Sequence, residues 1–336
     1  MKKIAILAAS ITLAMGLFVM PACNGGGLPG EVPGNYTEVT STAQLRQLKE
    51  QLSALDSSTL FGRDAESFGF EFKLSEDAEC DLAFIFGENP QTLKADELVT
   101  ADYKLILGKS DKDIKGEGNA HIKADMLEVP EQFNDFITFD NFDYSAKVYN
   151  DGRNIYLDLP EDMTAAGLPE NFGGKIKLPL DTILSPVMGI YSGLADELEF
   201  EPEDLVDLVR DYGAKIFVDN EDGLKIKATA DESVLRKVLK DGYGVELPEE
   251  GLKFNECSLE IYFAIDKDKV FSQFGAILKL DADCDLGANT LIDGLPAIKG
   301  NAKAELGVSL KKYDGKVELP TADKLNEFEE FNFNRG

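Results

Sequence analysis

From residue 68 onward the apolar residues of this chain fall on alternate positions for long stretches, the period of a strand with one buried face. Phe68, Phe70, Phe72 and Leu74 alternate with Gly69, Glu71 and Lys73, and Leu82, Phe84 and Phe86 repeat the pattern. Tyr103, Leu105 and Leu107 predict another strand, and Ala120, Ile122, Ala124 and Met126 one more. Phe142, Tyr144, Ala146 and Val148 lead through Asn150-Asp151-Gly152 into Ile155, Leu157 and Leu159, and an Asp-Gly pair between alternating runs signals a hairpin. Ile216 and Val218 turn at Glu221-Asp222-Gly223 and return through Leu224, Ile226 and Ala228. In the last third, Cys257, Leu259, Ile261, Phe263 and Ile265 share one face, and Phe274, Ala276, Leu278, Leu280, Ala282 and Cys284 share that of a returning strand. Ala302, Ala304, Leu306, Val308 and Leu310 make the final strand.

Helical spacing interrupts this pattern in a few places. Thr40 and Ser41 can cap a helix carrying Leu45, Leu48, Leu52 and Leu55. Leu180, Ile183, Leu184, Val187, Met188, Tyr191 and Leu194 recur at helical intervals, broken by Pro186. Pro202 opens a helix with Leu205, Leu208 and Val209 that Gly213 can end, and Asp231 caps one with Val234, Leu235, Val238 and Leu239. Together these elements predict an α+β fold. Its core is a single large curved antiparallel sheet, a half-barrel of about eleven strands, with short helices on the concave apolar face.

The apolar strand faces are more extensive than those helices can hide. Tighter curling around a solid core would meet the excess, and so would a cavity that takes an apolar guest. On the second reading the candidate liners are Phe84, Phe86, Tyr103, Leu105, Val148, Ile183, Leu184, Met188, Tyr191, Phe263, Ile277 and Leu278, each of which also suits ordinary core.

The first residues follow a different logic. Lys2 and Lys3 precede an uncharged run from Ile4 to Met20 that closes on Pro21-Ala22-Cys23, the layout of a bacterial lipoprotein signal peptide cleaved before the cysteine that receives the lipid. An ordinary signal peptide or an uncleaved anchor is the alternative. Asn24 to Gly34 is rich in Gly and Pro and suits a tether between an acylated Cys23 and a folded domain. The expected organisation is therefore a signal peptide over residues 1–22, a lipidated Cys and linker over 23–36, the half-barrel over 37–320 and an acidic tail over 321–336. Export places the protein in the cell envelope, lipid-anchored on the extracytoplasmic side of a membrane.

Export also permits disulfides. If Leu259 faces Ala282 and Ile261 faces Leu280, then Cys257 and Cys284 come opposite each other on the apolar face, within bonding range. The alternative is two small buried hydrophobes.

The charge narrows the partners. With 62 acidic against 34 basic residues the formal net charge is −28, which repels nucleic acid and anionic headgroups, so membrane contact must be covalent or apolar. Signals for catalysis are weak. His121 is the only histidine and sits on the polar phase of its strand, which leaves Ser-His and Cys-His pairs without support. Asp281, Asp283 and Asp285 echo a calcium loop, but Leu286 stands where its Gly belongs and Ile292 where its closing Glu belongs. No enzyme, metal or cofactor is expected.

The hairpin Val148-Tyr149-Asn150-Asp151-Gly152-Arg153-Asn154-Ile155-Tyr156-Leu157-Asp158-Leu159-Pro160 and the closing Tyr313-Asp314-Gly315-Lys316-Val317-Glu318-Leu319-Pro320 resemble segments of envelope lipoprotein carriers of the LolA/LolB and LppX/LprG types. The order of elements over residues 36 to 320 is similar as well, although this chain is longer and far more acidic. The resemblance implies a half-barrel with helices plugging its mouth and a bound acyl chain. The expected function is thus a membrane-anchored lipoprotein that binds an apolar ligand, a lipid or acyl chain, between sheet and helices. A structural or protein-interaction module of the envelope without a ligand is the alternative.

Overall fold

The computed structural model describes residues 28–55, 67–86, 88–108, 114–128, 141–168, 172–180, 211–243, 246–288 and 296–331. In chain order the strands are β1 (Thr37–Glu38), β2 (Ser67–Phe86), β3 (Asn89–Gly108), β4 (Lys115–Glu128), β5 (Phe142–Asn150), β6 (Asn154–Asp158) and β7 (Lys175–Pro179). They continue with β8 (Lys215–Asp219), β9 (Leu224–Asp231), β10 (Leu252–Ile265), β11 (Phe271–Leu286), β12 (Ala297–Lys312) and β13 (Glu329–Glu330). The helices among the described residues are α1 (Thr42–Ser53), α2 (Glu232–Tyr243) and the single turn α3 (Ala322–Leu325).

All thirteen strands join one open, curved sheet in the order β1-β8-β9-β10-β11-β12-β2-β3-β4-β5-β6-β7-β13, and the fold is α+β as the alternation predicts. Every neighbouring pair is antiparallel except β13, which lies parallel to β7. The count exceeds eleven because β7, where Ile176 and Leu178 alternate with lysines, and the two-residue edge strands β1 and β13, too short to show a period, add to the expected strands. The runs at Phe68–Leu74 and Leu82–Phe86 are halves of one 20-residue strand, about 65 Å long at about 3.3 Å per residue. Its partner β3 is equally long and pairs with it from Ser67↔Gly108 to Phe86↔Asn89.

The register assigns each side chain to a face. Phe72, Leu74, Ala78 and Phe84 of β2 align across the sheet with Tyr103, Ala101 and Val99 of β3, Ile122 and Ala120 of β4, and Val308 and Leu306 of β12, forming the apolar face. Lys73, Asp102, Asn119 and Lys147 align on the opposite, polar face.

Local sequence explains the helices. Ser41 accepts from the Gln44 N–H at 3.2 Å while Gln44 Oε1 accepts from the Ser41 N–H at 3.0 Å, a reciprocal capping box that starts α1. Leu48 and Leu52 of α1 pack on Ile216, Leu224 and Ile265 of the apolar face. Asp231 Oδ1 accepts from the N–H groups of Ser233 and Val234 and starts α2. From α2, the Arg236 guanidinium lies over the Phe254 ring, 5.4 Å from its centre. Both helices therefore cover the apolar face at its β8–β10 end.

Two terminal segments differ from the expected tether and tail. Residues 28–36 are no loose linker but a strap across the polar face. Val32 is buried against Tyr262 and Ala264, the Gln273 Nε2 donates to Glu31 O at 3.1 Å, and the Asn35 N–H donates to Asp219 Oδ2 at 3.0 Å. Gly30 and Gly275 make the approach possible, since a Cβ on Gly275 would lie 1.8 Å from Gly30 O. At the other edge, Phe328 is buried against Tyr156 with ring centres 5.4 Å apart, and the Phe331 N–H donates to Lys177 O at 3.0 Å. The acidic segment after residue 320 thus begins as a docked edge rather than a free tail.

Candidate functional site

The apolar face has two parts. At the β8–β10 end it is covered by α1 and α2, with Phe263 packed against the core that α1 forms with the sheet. In the centre, Leu74, Val99 and Ala101 are almost fully buried, and Phe72, Ile122, Leu306 and Val308 pack around them. Every described member of this second cluster is a strand residue. Phe274 of β11, which the register puts on the same face, is the one large hydrophobic side chain left exposed among the described residues, at 37%.

Phe84, Tyr103, Leu105, Val148, Phe263 and Leu278 all map to the apolar face. Tyr103 lies flat over the glycines of β4. A Cβ on Gly116 would meet its hydroxyl at 2.0 Å and one on Gly118 its ring at 2.7 Å. Phe86 ends β2. Ile277 does not join this set. Consecutive strand residues point to opposite faces, and Ile277 packs on the polar side against the strap, in the cluster of Val32, Tyr262 and Ala264. Ile183, Leu184, Met188 and Tyr191 lie outside the described residues, as does Cys23. The disulfide expectation is corrected: Cys80, Cys257 and Cys284 are free thiols. The β10–β11 turn is tighter than the alternation suggests. Asp266 Oδ1 accepts from the N–H groups of Asp268 and Val270 at 2.9 Å, so Leu259 faces Leu278 instead of Ala282, Cys257 faces Leu280, and Cys284 faces Leu252.

Periodicity also missed a pair of acids. Glu76 and Glu97 stand on the apolar face in mid-strand. Glu76 is flanked across the sheet by Leu306 and Val99, and Glu97 by Ala78 and Ala124. They are diagonal neighbours, with Cα atoms about 7–8 Å apart for that geometry. Glu76 is 7% exposed and Glu97 half-buried, and neither has a hydrogen bond or ion pair among the described residues. Burial, aided by the neighbouring Glu97 charge, pushes the Glu76 carboxyl up to about 7, and burial raises Glu97 too. The signal was available in sequence, because Glu76 falls on the even phase that runs unbroken from Phe68 to Phe86.

The polar face carries the other candidates. Asp281 and Asp283 are tied to the amides of Asn255 and Asn301 at 2.9–3.2 Å, and Asp285 to Lys299 at 2.8 Å. Asp283, Asp285, Lys299 and Asn301 line an open groove of about 680 Å³. Among the described residues no group of three or more His, Cys, Asp or Glu side chains is placed to hold a metal ion. His121 Nε2 lies 2.7 Å from Asp143 Oδ1. Among the described residues no helix is long and apolar enough to cross a membrane. No protein-family model matches the chain, and no curated protein matches it.

Proposed function

We propose that this protein is a membrane-anchored envelope lipoprotein that holds an apolar ligand, a lipid or acyl chain, against the apolar face of its sheet. The observation that carries the reading is the central part of that face. Among the described residues strands alone build it, it runs on from the helix-covered end, and Phe274 is exposed on the same side. An acyl chain of about 16 carbons buried there would gain on the order of 12 kcal/mol at about 0.8 per methylene, before association costs, so affinity needs no elaborate headgroup pocket.

The anchor rests on the run from Lys2 to Cys23. Leu28, where the described strap begins, is at most about 18 Å of extended backbone from Cys23. The polar face then carries the strap and the apolar face is left for the ligand. The layout resemblance to the LolA/LolB and LppX/LprG carriers agrees with this division.

Native mass spectrometry of the protein released from membranes tests the reading. The expected result is a species heavier than the acylated chain by one lipid or fatty acid, which organic extraction removes. A ligand-free mass, together with no uptake of a fluorescent fatty acid, would refute it.

A further inference from the structure

We propose that Glu76 and Glu97 form the polar subsite of the apolar face and take the protonated amine of a long-chain amphiphile. This rests on the reading of that face as an apolar-ligand site and adds the chemistry of the ligand's head. The argument starts from what surrounds the pair. Along β2 the neighbours of Glu76 on its face are Leu74 and Ala78, and across the sheet they are Leu306 and Val99. Glu97 is set among Ala95, Val99, Ala78 and Ala124. Among the described residues the two acids have no counter-charge, and Glu76, 7% exposed, has no polar partner.

Among the described residues no cation serves the pair. Among the described strands the one basic residue on the apolar face is Lys312, opposite Phe70 at the end of β12, and its ammonium is 3.7 Å from Asp314. Lys312 is six residues from Leu306, about 20 Å along the strand. Arg236 reaches the face from α2 but covers Phe254 of β10 and is held by Glu232 and by the carbonyls of Leu247 and Pro248.

Ligand chemistry follows from this deficit. An anionic head would be repelled by the pair. A neutral hydroxyl can donate only one hydrogen bond, leaving one acid without a donor. An ammonium brings a positive charge and three donors and can bridge both carboxylates, while its alkyl chain lies along the even-phase residues of β2, β11 and β12.

The test compares decylamine, decanol and decanoate as competitors of a fluorescent fatty-acid probe on the full-length protein, each kept below its micellar range. The unmodified protein should prefer the amine to the alcohol by about tenfold or more, the scale of a charge-assisted pair in an apolar setting, and bind decanoate weakest. In E76Q/E97Q the preference should vanish with decanol binding unchanged, and Glu97→Gln alone should reduce it part-way. Glu79→Gln, on the polar face of the same strand, should leave the ranking as it was. An amine that binds no better than the alcohol, or a preference that survives in E76Q/E97Q, overturns the subsite while leaving the apolar-ligand reading standing. Failure of all three compounds to displace the probe overturns both.

Discussion

Replacing Glu76 with Gln keeps the side chain's length and removes its charge, so it isolates the cost of ionising a carboxyl inside the apolar face. In the unfolded chain this group titrates at about 4.5, and in the fold it is pushed up to about 7 by burial and by Glu97. Between those values the folded state binds more protons than the unfolded state, so stability is fully present below about 4.5 and declines as the pH rises towards 7. At about 1.4 kcal/mol per pH unit the ceiling on this loss is about 3 kcal/mol, and solvent near the sheet surface lowers it to about 1–3 kcal/mol. Urea unfolding of both proteins at about pH 5 and about pH 8 reads the effect directly. Near pH 5 the two should be nearly equal. Near pH 8 the Gln variant should be the more stable by about 1–3 kcal/mol, and the comparison cancels the titration of other groups. A Gln variant that is equally stable or less stable at both pH values would refute the reasoning, because the ionised carboxylate would then have a partner in the fold.

Other outcomes follow from the same geometry. Gly275→Ala puts a methyl 1.8 Å from Gly30 O. It should dislodge the strap, cost about 1–3 kcal/mol and open residues 28–36 to limited proteolysis. Ser41→Ala removes one half of the capping box of α1 and should cost about 1 kcal/mol in denaturant midpoint analysis. Leu74→Ala, at a side chain 1% exposed, should cost about 2–5 kcal/mol by the same measurement. Because Cys80, Cys257 and Cys284 are free, a reductant should leave the melting temperature unchanged, and the unfolded protein should react with a thiol reagent at all three.

The sequence made the sheet legible because alternation is a local property, and the faces of Phe72, Leu105, Val148 and Leu278 follow from it directly. Register is not local. The pairing of Cys257 depends on where the β10–β11 chain reverses, and the Asp266 side chain closes a tighter turn than the apolar residues reveal. Ile277 shows the opposite case, since its neighbour Leu278 already claims the apolar face and its own place on the polar face follows from parity alone. Glu76 is hard to see in sequence because the acids around it break the apolar run, although a strand that long keeps one phase. The strap resembles a tether in sequence because Gly and Pro suit a flexible linker and also a chain laid flat against a sheet. Only the facing Gly275 separates the two, and it lies far away in sequence. The helical spacing from Ile183 to Leu194 falls outside the described residues.

The account depends on the apolar face being a ligand surface, and photo-crosslinking tests that with spatial resolution. A fatty alcohol carrying a diazirine in its chain, bound to the full-length protein and irradiated, should label peptides of β2, β11 and β12 at even-phase positions such as Phe72, Leu278 and Leu306. It should spare Lys73, Lys279 and Glu305, their neighbours on the polar face. Labelling scattered over both faces, or confined to the polar face, would contradict the account.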